Sequence, residues 1–296
     1  MSQSPKLYSV IRSRLTHLNR RAVLLPISAL AVMALAAGGL VANVTTARAE
    51  SVKDIKARGY MTVATEDDFR PFEFMENGVS TGYDNDLLNE IKKSLPFKVQ
   101  QTVIPWAGIL PGVTTGKYDI AVTAVLVTDV RKPAFTFSSP VAQSTTFFAT
   151  QSKSTIKSAS DLNGKTVGAQ AGSAMLANLK TFDAELKSKG GSGVQKIVEY
   201  QSNPEAYQDL AIGRLDAVVN TEINLRTLIK ERPGVFKLGE AVAKPVYIAW
   251  AMQKGNTEFA KLIDDALMAT RKNGKMYELQ KKWFGTTFED MPAEIK

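Results

Sequence analysis

Thiol and imidazole chemistry is nearly missing from this sequence. It has no cysteine, and its one histidine is His17. Without cysteine there is no disulfide scaffold, thiol nucleophile, Cys-X-X-Cys pair or thiolate-bound metal. Beyond the basic leader that contains His17 there is no Ser-His-Asp triad, Cys-His dyad or His-ligated zinc or haem. Acid–base chemistry would fall to carboxylates, lysines and tyrosines. Glu66-Asp67-Asp68 is an acid run behind an apolar strand pattern, but no paired-carboxylate motif is tied to a reaction. Gly172-Ser173-Ala174 opens a helical pattern. Its free N–H groups are a ready carboxylate site, to which Ser173 adds a hydroxyl or a simple cap. Arg131 follows another strand pattern, on the first turn of a helix capped by Thr128. Its planar fork matches a carboxylate as lysine cannot; a surface pairing with Asp129 or Glu66 is the plain alternative.

Of 296 residues, 37 are Lys or Arg and 29 Asp or Glu. Lys6, Arg12, Arg14, Arg20 and Arg21 precede the apolar run Ala22–Val44, which ends at Ala47-Arg48-Ala49. This order of basic, apolar and small residues predicts a signal peptide over 1–49, cleaved between Ala49 and Glu50, and hence an exported protein. An uncleaved anchor is the alternative, since the run could span a bilayer; Pro26, Gly38 and Gly39 interrupt it. Asn19-Arg20-Arg21 leaves Sec and twin-arginine export both open. The remaining chain carries 31 basic against 29 acidic residues, net +2. The basicity thus belongs mostly to the leader and gives no argument for nucleic acid.

Behind the leader, strands and helices alternate. Tyr60–Thr65 reads as a strand, and Asn77-Gly78 as a hairpin turn. Leu87, Leu88, Ile91 and Leu95 lie at helical spacing, closed by Pro96. Phe97–Ile104 is a strand, Ala107–Thr115 a helix and Asp119–Thr123 a strand. The grammar then repeats. Thr166–Ala169 is a strand, Ser173–Ser188 a helix and Val194–Tyr200 a strand. A helix capped by Asn203 runs to Gly213, and Asp216–Asn220 is a strand. Gly116-Lys117-Tyr118-Asp119 and Gly213-Arg214-Leu215-Asp216 match. The spacing predicts two α/β lobes of one design, each with a mostly parallel sheet. Val246–Met252 adds a strand, and Thr257–Lys272 and Lys275–Trp283 add helices. If this tail returns to the first lobe, the chain crosses twice, near Gln143–Thr150 and Val242–Tyr247. The lobes are then 50–145, 146–243 and the return 244–296.

Several segments, in this order, are similar to bacterial extracellular solute-binding proteins of the polar amino-acid type (family 3). They include Arg70-Pro71-Phe72-Glu73-Phe74, Gly82-Tyr83-Asp84-Asn85-Asp86-Leu87, Trp106-Ala107-Gly108-Ile109, Thr128-Asp129-Val130-Arg131-Lys132, Asp161-Leu162-Asn163-Gly164-Lys165 and Lys281-Lys282-Trp283-Phe284-Gly285. The resemblance spans about Val52 to Gly285. It implies a type II-like periplasmic binding protein fold: two α/β lobes joined by two hinge strands, with a ligand cleft between them. It implies a monomer that closes on an amino acid or related small carboxylate and hands it to ABC permease subunits. No cofactor, metal or nucleic acid is expected.

Ligands of open α/β sheets sit beyond the carboxyl ends of strands, so the loops after Thr65, Thr123, Ala169 and Asn220 should face the cleft. By resemblance Arg131 grips the ligand carboxylate, and Phe69 and Trp106 form an aromatic shelf. Glu66 meets the ligand or helps close the cleft. Ala124 and Leu126 line the first-lobe loop, and Gln170, Gly172 and Ser173 face them from the second. Two departures stand out. Thr221 occupies the position where relatives carry the aspartate for the α-ammonium, so either Glu222 reaches in or the ligand lacks an ordinary amino group there. Leu126 replaces a common hydroxyl residue and makes the pocket more apolar. The alternative is an enzyme resembling cyclohexadienyl dehydratases, with Glu222, Glu66 or Asp68 as the acid or base. A membrane-tethered sensor lobe would need the leader retained.

Overall fold

The structure, a computed structural model, describes residues 50–295; the leader and its cleavage point lie outside the described residues. Ser51 and Asp54 form a reciprocal capping box that starts helix α1 (Val52–Arg58), and Gly59 closes it. Strand β1 (Tyr60–Glu66) follows. The short strands β2 (Asp68–Phe69), β3 (Glu73–Glu76) and β4 (Val79–Thr81) form a small antiparallel sheet. Its tight turn is Asn77-Gly78, with both residues at positive φ, as such a hairpin requires. Helix α2 (Tyr83–Ile91), β5 (Lys98–Ile104), α3 (Trp106–Thr114), β6 (Ile120–Leu126), β7 (Phe135–Phe137) and β8 (Ala142–Ser144) come next. The second half holds β9 (Thr146–Gln151), β10 (Thr166–Gln170), α4 (Ala174–Ser188), β11 (Lys196–Tyr200), α5 (Asn203–Ala211), β12 (Ala217–Thr221), α6 (Glu222–Glu231) and β13 (Phe236–Ala241). Then β14 (Val246–Gln253), α7 (Thr257–Lys272) and α8 (Lys275–Phe284) complete the order.

Two sheets organise these elements. The first runs β5-β1-β6-β14-β7, with β8 also on β14; the second runs β11-β10-β12-β9-β13. Each has a parallel three-stranded core, β5-β1-β6 and β11-β10-β12. Antiparallel strands extend both cores: β14 with β7 and β8 in the first, β9 with β13 in the second. The expected mostly parallel sheets are therefore mixed. Strand β9 falls within the crossing expected near Gln143–Thr150, and β13 is a strand that local sequence does not signal. The chain passes between sheets at Thr145 and again over residues 242–245, and Val242 N–H donates to Thr146 O at 2.8 Å.

Every residue of β6 is buried. Alternation sorts them onto two faces: Ala121 and Val125 pack with Ile109 and Tyr118, whereas Ile120, Val122, Ala124 and Leu126 join the core containing Trp250 and Phe259. The repeated aspartates do the same job in both halves. Asp119 N–H donates to Thr62 O (3.0 Å), and Asp119 Oδ2 accepts from Thr62 N–H (2.6 Å). Asp216 N–H donates to Thr166 O (2.9 Å), and Asp216 Oδ2 accepts from Thr166 N–H (2.8 Å). Asp119 also pairs with Arg58 at 2.6 Å. These are structural clamps between neighbouring parallel strands. Among the described residues, no helix is long and apolar enough to cross a membrane.

Candidate functional site

The ends of β1 and β6 in the first sheet meet β10 and the start of α4 in the second around a narrow, nearly closed cavity of about 10 Å³. Its wall contains Glu66, Phe69, Trp106, Ala124, Leu126, Arg131, Gln170 and Ser173, together with Ala174 and Met175, which the sequence reading did not single out. Met175 follows the cap on the first turn of α4, so it shares the turn with Ser173.

Arg131 sits on a turn, not on the expected helix. Its N–H and that of Lys132 donate to Thr128 O (2.9 and 3.0 Å), and β7 begins four residues later. Pro133 supplies no N–H and disfavours helical geometry at the residue before it, so the turn cannot propagate. The guanidinium lies over the Trp106 ring, 5.2 Å from its centroid. It donates to Leu126 O (3.1 Å) and, across the cleft, to Gly172 O (3.5 Å). Burial pushes its pKa down to about 10, which still leaves it cationic at neutral pH. Among the described residues no carboxylate pairs with it; Asp129 instead pairs with Lys132 at 3.1 Å.

Glu66 Oε1 accepts from Gln170 Nε2 at 2.6 Å, a buried bond between the two sheets. Burial lifts the Glu66 carboxyl to about 8; the Gln170 bond opposes this, and Asp67 and Asp68 add to it. Gly172 has φ +69°, a left-handed conformation, and a Cβ there would lie 3.7 Å from Trp106 Nε1. Glycine is therefore needed here for the left-handed turn into α4, while a Cβ would make only ordinary contact with Trp106. Ser173 caps α4 by accepting from Leu176 N–H at 3.0 Å, which leaves its O–H hydrogen to donate.

Behind Ala124 lies a buried acid pair. Thr123 Oγ1 donates to Glu73 Oε1, and Glu73 shares a hydrogen bond with Asp84. Asp84 Oδ1 accepts from Trp250 Nε1 at 2.7 Å. Burial and the nearby Asp84 charge hold Glu73 well above the usual carboxylate range, so Glu73 keeps a proton that it donates to Asp84.

Thr221 and Glu222 stand apart from this cavity. Thr221 is fully buried and caps α6: its Oγ1 accepts from Asn224 N–H at 3.2 Å and donates to Asn224 Oδ1. Glu222 pairs with Arg226 at 2.6 Å and lines a different cavity beside Lys281 and Lys282. It does not reach in to replace the missing aspartate. Helix α5 is likewise capped by Ser202, boxed with Glu205, and not by Asn203. Asn203 is thereby free for another role. Among the described residues no group of three or more His, Asp or Glu could hold a metal ion.

Residues 61–286 match the family model described as bacterial extracellular solute-binding proteins, family 3. The chain is 29% identical to the L-cystine-binding protein TcyJ of Escherichia coli, over 92% of this chain and 98% of that one. It is 32% identical to the probable amino-acid-binding protein YxeM of Bacillus subtilis, over 76% of this chain and 83% of that one. The crystal structure of an ancestral amino acid-binding protein, a precursor of cyclohexadienyl dehydratase, superposes with a TM-score of 0.69 at 29% identity, covering 78% of this chain and 98% of that one.

Proposed function

The chain belongs to the family 3 bacterial extracellular solute-binding proteins, and we propose that it captures an amino acid or related small carboxylate between its lobes and delivers it to the membrane subunits of an ABC importer. The lobes are 50–145 with the return 244–296, and 146–243. The protein acts as a monomer after export and removal of residues 1–49. One observation carries the reading: Arg131 is a desolvated cation in the cleft wall, held over Trp106 and by Leu126 O, with no carboxylate of its own among the described residues. A ligand carboxylate supplies the missing partner, in the bidentate geometry that guanidinium favours. Phe69 and Trp106 flank the ligand body, Ala124 and Leu126 present apolar surface, and Glu66 and Gln170 close the lobes over it. Gly172 and Ser173 complete the second-lobe wall.

The neutral Thr221, the apolar Ala124 and Leu126, and a Glu66 carboxyl that burial lifts to about 8 and so keeps largely protonated leave no ionised ammonium partner beside Arg131 at neutral pH. The ligand end that Arg131 holds is therefore a carboxylate without an ordinary adjacent α-amino group. The dehydratase reading finds only one carboxyl in the cavity wall, Glu66, and that one is bonded to Gln170.

A thermal-shift screen against amino acids, opines, betaines and organic acids tests the proposal. A ligand at a hundred times its dissociation constant stabilises by about 2.7 kcal/mol, or roughly 5–10 °C at this size. The shift should vanish in Arg131→Ala. Turnover of prephenate or arogenate by the purified protein would replace the binding reading with the enzymatic one.

A further inference from the structure

A second cavity lies on the other side of Phe69. Its volume is about 290 Å³, and Phe69 belongs to the walls of both cavities. Strand β2 supplies one wall through Asp68 and Phe69, and α5 supplies the facing wall through Asn203 and Tyr207. The second chamber therefore spans the same pair of lobes as the first.

Asn220 orients the α5 side. Thr221 N–H donates to Asn220 Oδ1 at 2.7 Å. The Asn220 amide nitrogen then donates to Asn203 Oδ1 at 3.0 Å and to the Tyr207 hydroxyl at 2.6 Å. Both neighbours are thus acceptors in this network. The Tyr207 hydroxyl hydrogen remains available, and Asn203 Nδ2 is buried with no partner in a residue only 4% exposed. A buried N–H group without an acceptor is costly and uncommon. Across the chamber, Asp68 is half-buried and makes no ion pair or side-chain hydrogen bond among the described residues. Its neighbour Arg70 turns to Glu76 (3.7 Å) and Glu231 (3.6 Å).

Two N–H or O–H donors facing one carboxylate are the complement of an ammonium–carboxylate pair. We infer that the chamber lined by Asp68, Asn203 and Tyr207 binds an α-amino-carboxylate head at the far end of the ligand, whose other end is the carboxylate held by Arg131. This rests on the Arg131 cavity being the ligand site. Asp68 takes the ammonium, and Asn203 and Tyr207 donate to the carboxylate. The spacer passes the face of Phe69. The inference explains why the Arg131 end can dispense with an ammonium partner: the amino group sits in the other chamber.

Isothermal titration at pH 7.5 with L-2-aminoadipate, L-2-aminopimelate and L-2-aminosuberate, against adipate, pimelate and suberate, tests this. At least one amino-bearing probe should bind at least tenfold more tightly than the plain dicarboxylates. Asp68→Asn should erase that advantage, because the amino-bearing probes lose an ammonium contact that the plain dicarboxylates never made while the dicarboxylates shed a like-charge repulsion, and Tyr207→Phe should reduce it. The inference is overturned if no amino-bearing probe outbinds the dicarboxylates, or if Asp68→Asn weakens both sets equally. Arg131→Lys separates the two readings: a probe that binds equally to this variant refutes the Arg131 site itself, whatever Asp68 does.

Discussion

Glu66 and Gln170, which join the two lobes through a 2.6 Å hydrogen bond, occupy the same place in their respective sheets. Each ends the central strand of a parallel three-stranded core, β1 or β10. Each follows a threonine, Thr62 or Thr166, whose backbone is clamped by an aspartate of the next parallel strand. The cleft is thus closed by a pair of equivalent residues that differ in chemistry, an acid on one side and an amide on the other.

Glu66 makes stability fall with rising pH. Its folded-state pKa is about 8, against an ordinary value of 4.5, so the native state binds more protons than the unfolded state in between. The native protein therefore loses stability as pH rises from about 4.5 through 8, by up to about 1.4 kcal/mol per pH unit from this group. Urea denaturation of wild type and Glu66→Gln at several pH values should show a shallower slope in the variant. Parallel slopes would remove Glu66 as a protonated group.

Arg131→Lys should weaken carboxylate ligands by roughly 2–5 kcal/mol, the cost of leaving a buried charge poorly paired. Titration calorimetry with a bound acid and its amide reads this directly. The amide, which needs no guanidinium fork, should lose much less.

Much of this was legible in the residues. The hairpin at Asn77-Gly78, both halves of the Gly-basic-X-Asp repeat and the helix Thr257–Lys272 stand where their local signals put them. What escaped depended on contacts distant in sequence. Strand β13, with its Gly239 and Glu240, gains its identity by pairing with β9. Thr221 aligned with a ligand position, yet its hydroxyl serves Asn224 three residues later. Asn203 read as a cap because Ser202 offers the same chemistry one residue earlier.

The acid pair predicts unequal variants. Glu73→Gln keeps a neutral donor toward Asp84 and should cost less than about 1 kcal/mol. Asp84→Ala strands both Glu73 and Trp250 Nε1, and should cost about 2–4 kcal/mol. Chemical denaturation that ranks the two the other way would assign the proton to Asp84.

The two clamps also differ. Asp119 is buried and serves Thr62 and Arg58, whereas Asp216 is exposed and serves Thr166. Asp119→Ala should cost about 2–3 kcal/mol and Asp216→Ala about 1 kcal/mol, measured by the same denaturation.

The place of β14 in the first sheet sets an order of assembly. All strands of the second sheet lie within residues 146–241, one continuous stretch, whereas the first sheet needs Val246–Gln253 to fill the slot between β6 and β7. A chain emerging from its N-terminus can therefore finish its second sheet while the first still has an open edge on β6. The closing event is a long-range one, the kind that slows folding. Until then the fully buried, apolar β6 has no partner on that side, and the nascent chain depends on the arrival of its last fifty residues to cover it.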